Sequence, residues 1–225
     1  MRRLPLLTAV SAALALLVSL LLGAVPATAG PQAVAVRGGD VLYGGNGTVC
    51  LVGFNARGGS TYYALLAGRC ATGETTWYAD AARTVQVGVT AVVSFPGDDY
   101  GLVRYTTTAV SYPGEVSLGG GSVRDITGAA APRIGQSVCH VGRAAGVRCG
   151  TVNALNVTVN YGGGTVSGLF RSTVCPEPGD QGGPAFSGTT ALGLVVGGSG
   201  GCAAGGTTYY QPVVRILSAY GLSLY

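Results

Sequence analysis

Beyond residue 36 the chain alternates short apolar, β-prone runs with glycine-rich breaks. Val49-Cys50-Leu51-Val52-Gly53-Phe54, Ala64-Leu65-Leu66-Ala67 and Ala91-Val92-Val93-Ser94-Phe95 have strand-like length and turn-forming flanks, which predicts an antiparallel all-β protein. Only near the C-terminus does the period change. There Val213, Val214, Ile216, Leu217 and Tyr220 recur at helical spacing behind Pro212, whose fixed φ suits a first helical turn. The N-terminus differs again: Arg2 and Arg3 precede an apolar run from Leu4 to Leu22, followed by Pro26 and the small-residue triplet Ala27-Thr28-Ala29. The run is nearly long enough for an uncleaved membrane anchor, but the triplet predicts a secretory signal peptide over residues 1–29, cleaved after Ala29. The expected product is secreted, extracellular and free of the membrane.

Composition narrows the picture. Forty glycines in 225 residues would suggest disorder, yet the chain is 48% apolar and its aromatic residues are spread along it, which a packed barrel or sandwich accommodates. All thirteen basic residues are arginine; two lie in the signal, leaving eleven against nine acids and a net charge of +2. So small a surplus argues against nucleic acid as a partner. Six cysteines in an exported chain read as three disulfides, with every pairing open on spacing alone. A single histidine and the lack of any Cys-x-x-Cys pair argue against a metal site, and no cofactor is expected.

Cys175-Pro176-Glu177-Pro178-Gly179-Asp180-Gln181-Gly182-Gly183-Pro184 resembles the Gly-Asp-Ser-Gly-Gly-Pro nucleophile loop of chymotrypsin-like serine proteases, with glutamine in the serine position. Gly58-Gly59-Ser60-Thr61-Tyr62-Tyr63, Ala67-Gly68-Arg69-Cys70, Asp99-Tyr100-Gly101-Leu102-Val103-Arg104-Tyr105 and Asn160-Tyr161-Gly162-Gly163-Gly164 are similar, more narrowly, to the bacterial streptogrisin and α-lytic protease branch. The resemblance covers residues 36–225. It implies two packed six-stranded Greek-key β-barrels, residues 36–115 and 120–210, with a C-terminal helix and tail over 211–225 and a cleft between the barrels. It also implies disulfides Cys50–Cys70, Cys139–Cys149 and Cys175–Cys202, and a monomer. Residues 30–35 form a short N-terminal segment where relatives carry a long pro-region.

Peptide hydrolysis on this fold needs a hydroxyl nucleophile, a general base and an acid that orients the base. By the resemblance Arg69 stands in the histidine position and Gln181 in the serine position, while Asp99 retains the acid. A guanidinium with a pKa above about 12 is no base near neutral pH, and an amide is no nucleophile. An ion pair between Arg69 and Asp99 is expected, because a lone buried carboxylate is costly. Val196 takes the place of a serine that in relatives lies beside the triad acid. Gly179 and the Gln181 amide are expected to form the oxyanion hole, and Val196, Gly197 and Gly198 an edge for an extended peptide. His140 replaces an arginine that in relatives pairs with the acid before the nucleophile, so it is expected beneath the loop, facing Asp180.

Other mechanisms find little support. Without lysine there is no serine-lysine dyad, and no cysteine is left free for a thiol mechanism. Asp98 and Asp99, adjacent in sequence, point to opposite faces, and Asp98 reads as a solvated turn residue. The leading expectation is a serine-protease homologue that does not cleave peptides and binds an extended peptide or a protein protease inhibitor through its cleft. The alternatives are a drifted relic or structural exported protein, whose signature is a cleft plugged by Arg69 and Gln181, and an endopeptidase of unrecognised mechanism.

Overall fold

The computed structural model describes residues 34–225; the signal peptide expected over residues 1–29 and the start of the expected short N-terminal segment lie outside the described residues. The first barrel is built from β1 (Val41–Gly44), β2 (Val49–Leu51), β3 (Phe54–Gly58), β4 (Thr61–Leu66), β5 (Thr76–Tyr78), β6 (Gln86–Ser94) and β7 (Tyr100–Tyr105), in the order β2-β1-β5-β6-β7-β4-β3. The two edges of this sheet, β2 and β3, are one stretch of chain broken only at Val52 and Gly53. The sheet therefore closes on itself as six strands. A short helical turn, α1 (Gly68–Ala71), leads out of β4.

The second barrel comprises β10 (Gly128–Ala129), β11 (Ser137–Gly142), β12 (Gly146–Tyr161), β13 (Gly164–Ser172), β14 (Pro184–Ser187), β15 (Thr190–Ser199) and β16 (Thr207–Pro212). Six of these close through the β15–β16 pairing, and β10 is a parallel addition beside β15. A separate hairpin, β8 (Glu115–Gly119) and β9 (Ser122–Asp125), spans the boundary expected between the barrels and takes in residues 122–125 that were expected in the second.

Each barrel has its own core, but the cluster that positions the site is shared. Phe54, Leu65 and Leu102 of the first barrel pack with Val141, Phe186 and Leu194 of the second and with Ile216 and Leu217 of the terminal helix. Burying each such side chain contributes roughly 1.5–3 kcal/mol. Gly53 lies at the contact: a Cβ there would collide with Leu194 and approach Gly182 O and Leu65 O to 3.1 Å, so a side chain would push the barrels apart.

The helix α2 (Val213–Tyr220) buries Val213, Ile216 and Leu217 on one face. Pro212 lies just outside it as N-cap, one position earlier than the expected first turn, and Gly221 closes it in the left-handed conformation at φ 60°. The disulfides are Cys50–Cys70, Cys139–Cys149 and Cys175–Cys202, each within one barrel.

Candidate functional site

Arg69 rides on α1 and Asp99 precedes β7, and a glycine brings them together. A Cβ on Gly68 would sit 2.6 Å from Ser94 O and 2.8 Å from Tyr100 N, so only glycine lets α1 press this closely on the strand. The Arg69 N–H then donates to Asp99 Oδ1 at 2.9 Å and its Nε to Oδ2 at 2.8 Å. Asp99 is wholly buried, whereas the Arg69 side chain keeps 28% of its surface exposed. Burial pushes the Asp99 carboxyl above the ordinary value of 3.8, and the Arg69 N–H and guanidinium oppose that rise.

The same guanidinium crosses to the second barrel. Its Nη2 donates to the Val196 carbonyl, and its carbon stands 3.7 Å over the Tyr161 ring and 5.7 Å from that of Phe95. Burial raises the Tyr161 hydroxyl to about 12. Val196 itself packs its side chain against Val166 and Leu169. Gly197 and Gly198 pair with Tyr209 and Thr208 of β16, while the pairing with β14 ends at Leu194 and leaves the other edge of this segment without a strand partner.

The loop before β14 is braced from both sides. Gly182 N donates to Val195 O at 2.8 Å, Gly183 N to Asp180 O at 2.9 Å, and Leu51 N of the first barrel to Gln181 O at 3.3 Å. Among the described residues neither Gly179 nor Gln181 donates its N–H to a main-chain carbonyl. The Gln181 Nε2 is buried without a partner. His140 is fully buried beneath the loop, with Nδ1 2.9 Å from the Tyr210 hydroxyl and Nε2 3.5 Å from Asp180 Oδ2. Asp180 Oδ2 also accepts the Glu177 N–H at 2.8 Å, and its Oδ1 has no partner.

Asp98 keeps 25% of its side-chain surface exposed, but it is paired rather than freely solvated. Its Oδ1 lies 2.8 Å from Arg215 Nη2 and accepts from Gln211 Nε2 at 3.4 Å, because α2 folds back against the Asp98–Tyr100 segment. Gln211 was missed in the sequence: wholly buried, it also accepts the Asp99 N–H on Oε1 at 3.0 Å and so orients both acids. Tyr161 lay in a quoted motif, but nothing in that motif assigns its ring to Arg69. Among the described residues no three histidine, cysteine, aspartate or glutamate side chains converge as a metal site.

The chain is 49% identical over 175 residues to Serine protease 2 of Streptomyces fradiae, covering 77% of this chain and all of that protein. It is 44% identical over 190 residues to Glutamyl endopeptidase 2 of Streptomyces griseus, covering 84% of this chain and all of that one. The chain belongs to the streptogrisin and α-lytic branch of the chymotrypsin-like serine proteases. Streptogrisin-D of Streptomyces griseus is 46% identical over 198 residues, which are 88% of this chain but only 50% of that longer protein. Among solved structures, Alpha-lytic protease homolog N4 superposes with a TM-score of 0.81 at 60% identity over 85% of this chain and 100% of that one. Thermobifida fusca Protease A gives 0.75 at 40% identity, covering 85% and 98%. No family model matches the sequence.

Proposed function

We propose that this chain is a secreted member of the streptogrisin and α-lytic branch that does not hydrolyse peptide bonds. The observation that carries the reading is the Arg69 head group: it holds Asp99 at 2.8 Å from the place assigned to the general base. A permanently protonated guanidinium accepts no proton from a nucleophile, and Gln181 offers none to give. Three disulfides support an oxidising, extracellular setting.

The inherited cleft would bind an extended peptide or a protein protease inhibitor, by strand addition on the edge at Val196–Gly198. A second reading, a drifted or structural protein without cleft function, is favoured by one contact: Arg69 already occupies the Val196 carbonyl that such a peptide would use. An endopeptidase with unrecognised chemistry is the third.

The mature chain and an Arg69→His, Gln181→Ser double variant should be compared on one panel of peptide substrates, with binding of a protein protease inhibitor measured for both. Cleavage by the variant alone, with inhibitor bound by both, supports the binding reading. Failure of both to cleave or bind favours the second. Hydrolysis by the unaltered chain that survives repurification and disappears in Asp99→Ala overturns the proposal.

A further inference from the structure

A second concavity lies away from the cleft. A hollow of about 750 Å³ opens between the turn before β4, the end of β7 and the loop that follows it, and the C-terminal residue. It shares no residue with Arg69, Asp99, Gln181 or Val196, and its volume lies in the range of small-molecule sites.

Its walls are aromatic, and the hydroxyls of Tyr105, Tyr112 and Tyr225 are already engaged. Tyr62 and Tyr225 meet edge to face at 5.4 Å, and Tyr112 stacks on the buried Tyr105 at 3.5 Å. Tyr225 donates to Tyr112 O, Tyr112 to Thr107 O at 3.1 Å, and Tyr105 to Asn55 Oδ1 at 2.7 Å. What these rings offer a ligand is therefore surface for stacking.

The polar part of the lining is one-sided. Threonine and serine hydroxyls, among them Thr106 and Ser111, surround the rings, no acidic side chain lines the hollow, and Arg104 does. Arg104 takes part in none of the ion pairs among the described residues. A second guanidinium, that of Arg57, lies 5.4 Å from the centre of the Tyr225 ring and adds to the positive potential. Such a hollow lacks the amide and carboxylate side chains that read a sugar's hydroxyls. It matches a flat aromatic body carrying one negative charge, with the ring against Tyr62 and Tyr225 and the anion on Arg104.

We propose that this hollow is a second binding site, separate from the cleft, for a small aromatic carboxylate. The test titrates 2-naphthoate, and in parallel the neutral 2-naphthamide, into the mature chain while amide signals are followed by NMR. Saturable shifts with 2-naphthoate should be confined to residues 60–62, 104–113 and 225, with binding about tenfold weaker for 2-naphthamide and for Arg104→Gln. Tyr62→Ala, on an exposed ring, should weaken 2-naphthoate further while leaving the rest of the spectrum in place. The proposal is overturned by absence of saturation, by equal binding of acid and amide, or by shifts centred on Arg69 and Val196. Since the hollow shares no residue with the cleft, none of these results bears on whether the chain hydrolyses peptides.

Discussion

The two barrels treat their cleft residues differently. On the first-barrel side the arginine is fully integrated: Arg69 satisfies the buried Asp99, the Val196 carbonyl and the face of Tyr161 at once. On the second-barrel side the loop keeps its brace of main-chain hydrogen bonds, but Gln181 Nε2 and Asp180 Oδ1 are buried without partners. A long, forked cation can reach several acceptors around a buried carboxylate, whereas a short neutral amide held between two fixed strands takes only what lies beside it. The first side holds a satisfied ion pair, and the second leaves buried polar atoms unpartnered.

The sharpest break in that comparison is catalytic. Nucleophile and base act as a unit, so Arg69→His alone and Gln181→Ser alone should leave hydrolysis at background. The pair together should raise it by on the order of a thousandfold or more, read from chromogenic peptide turnover. Equal activity in either single variant would mean that the two sides are not complementary halves of one site.

Next comes the ion pair. Arg69→Ala strands a wholly buried carboxylate and should cost about 3–5 kcal/mol in urea unfolding near neutral pH. Asp99→Asn should cost less, because the partly exposed guanidinium can turn to water. The sign with pH follows from burial. Asp99 titrates above its ordinary 3.8, so its contribution to stability is complete below that value and is lost as pH rises through the raised pKa. Arg69→Ala should steepen that loss as pH rises above 3.8, and Asp99→Asn should abolish it.

On the other side the effect should reverse. Gln181→Met removes an unpartnered buried donor while keeping its bulk, and should be neutral or stabilising by up to about 1 kcal/mol. A loss of that size instead would reveal a partner for Nε2. Smallest of all, Arg215→Ala, which removes a largely exposed pair with Asp98, should change stability by less than about 1 kcal/mol in the same unfolding assay.

The sequence by itself determined a good deal. Short apolar runs between glycines specify strands, because runs this brief between frequent turn residues leave no room for a helix, and the motif around Gly179–Pro184 specifies which two-barrel family they build. The identities of Arg69, Asp99 and Gln181 follow from the same motifs, since each stands inside a locally recognisable run. The partners do not. Gln211 meets Asp99 across 112 residues of chain, and Arg69 meets Val196 across 127, so neither contact leaves a local trace. Asp98 looked solvated because nothing beside it in sequence foretells Arg215 on a helix that packs back over the barrel. Local pattern fixes strand and turn, because those are decided by neighbouring side chains and backbone torsions. Which charges meet in the cleft, and which polar atoms are left alone there, was decided only when the two closed barrels came together around Gly53 and excluded water between them.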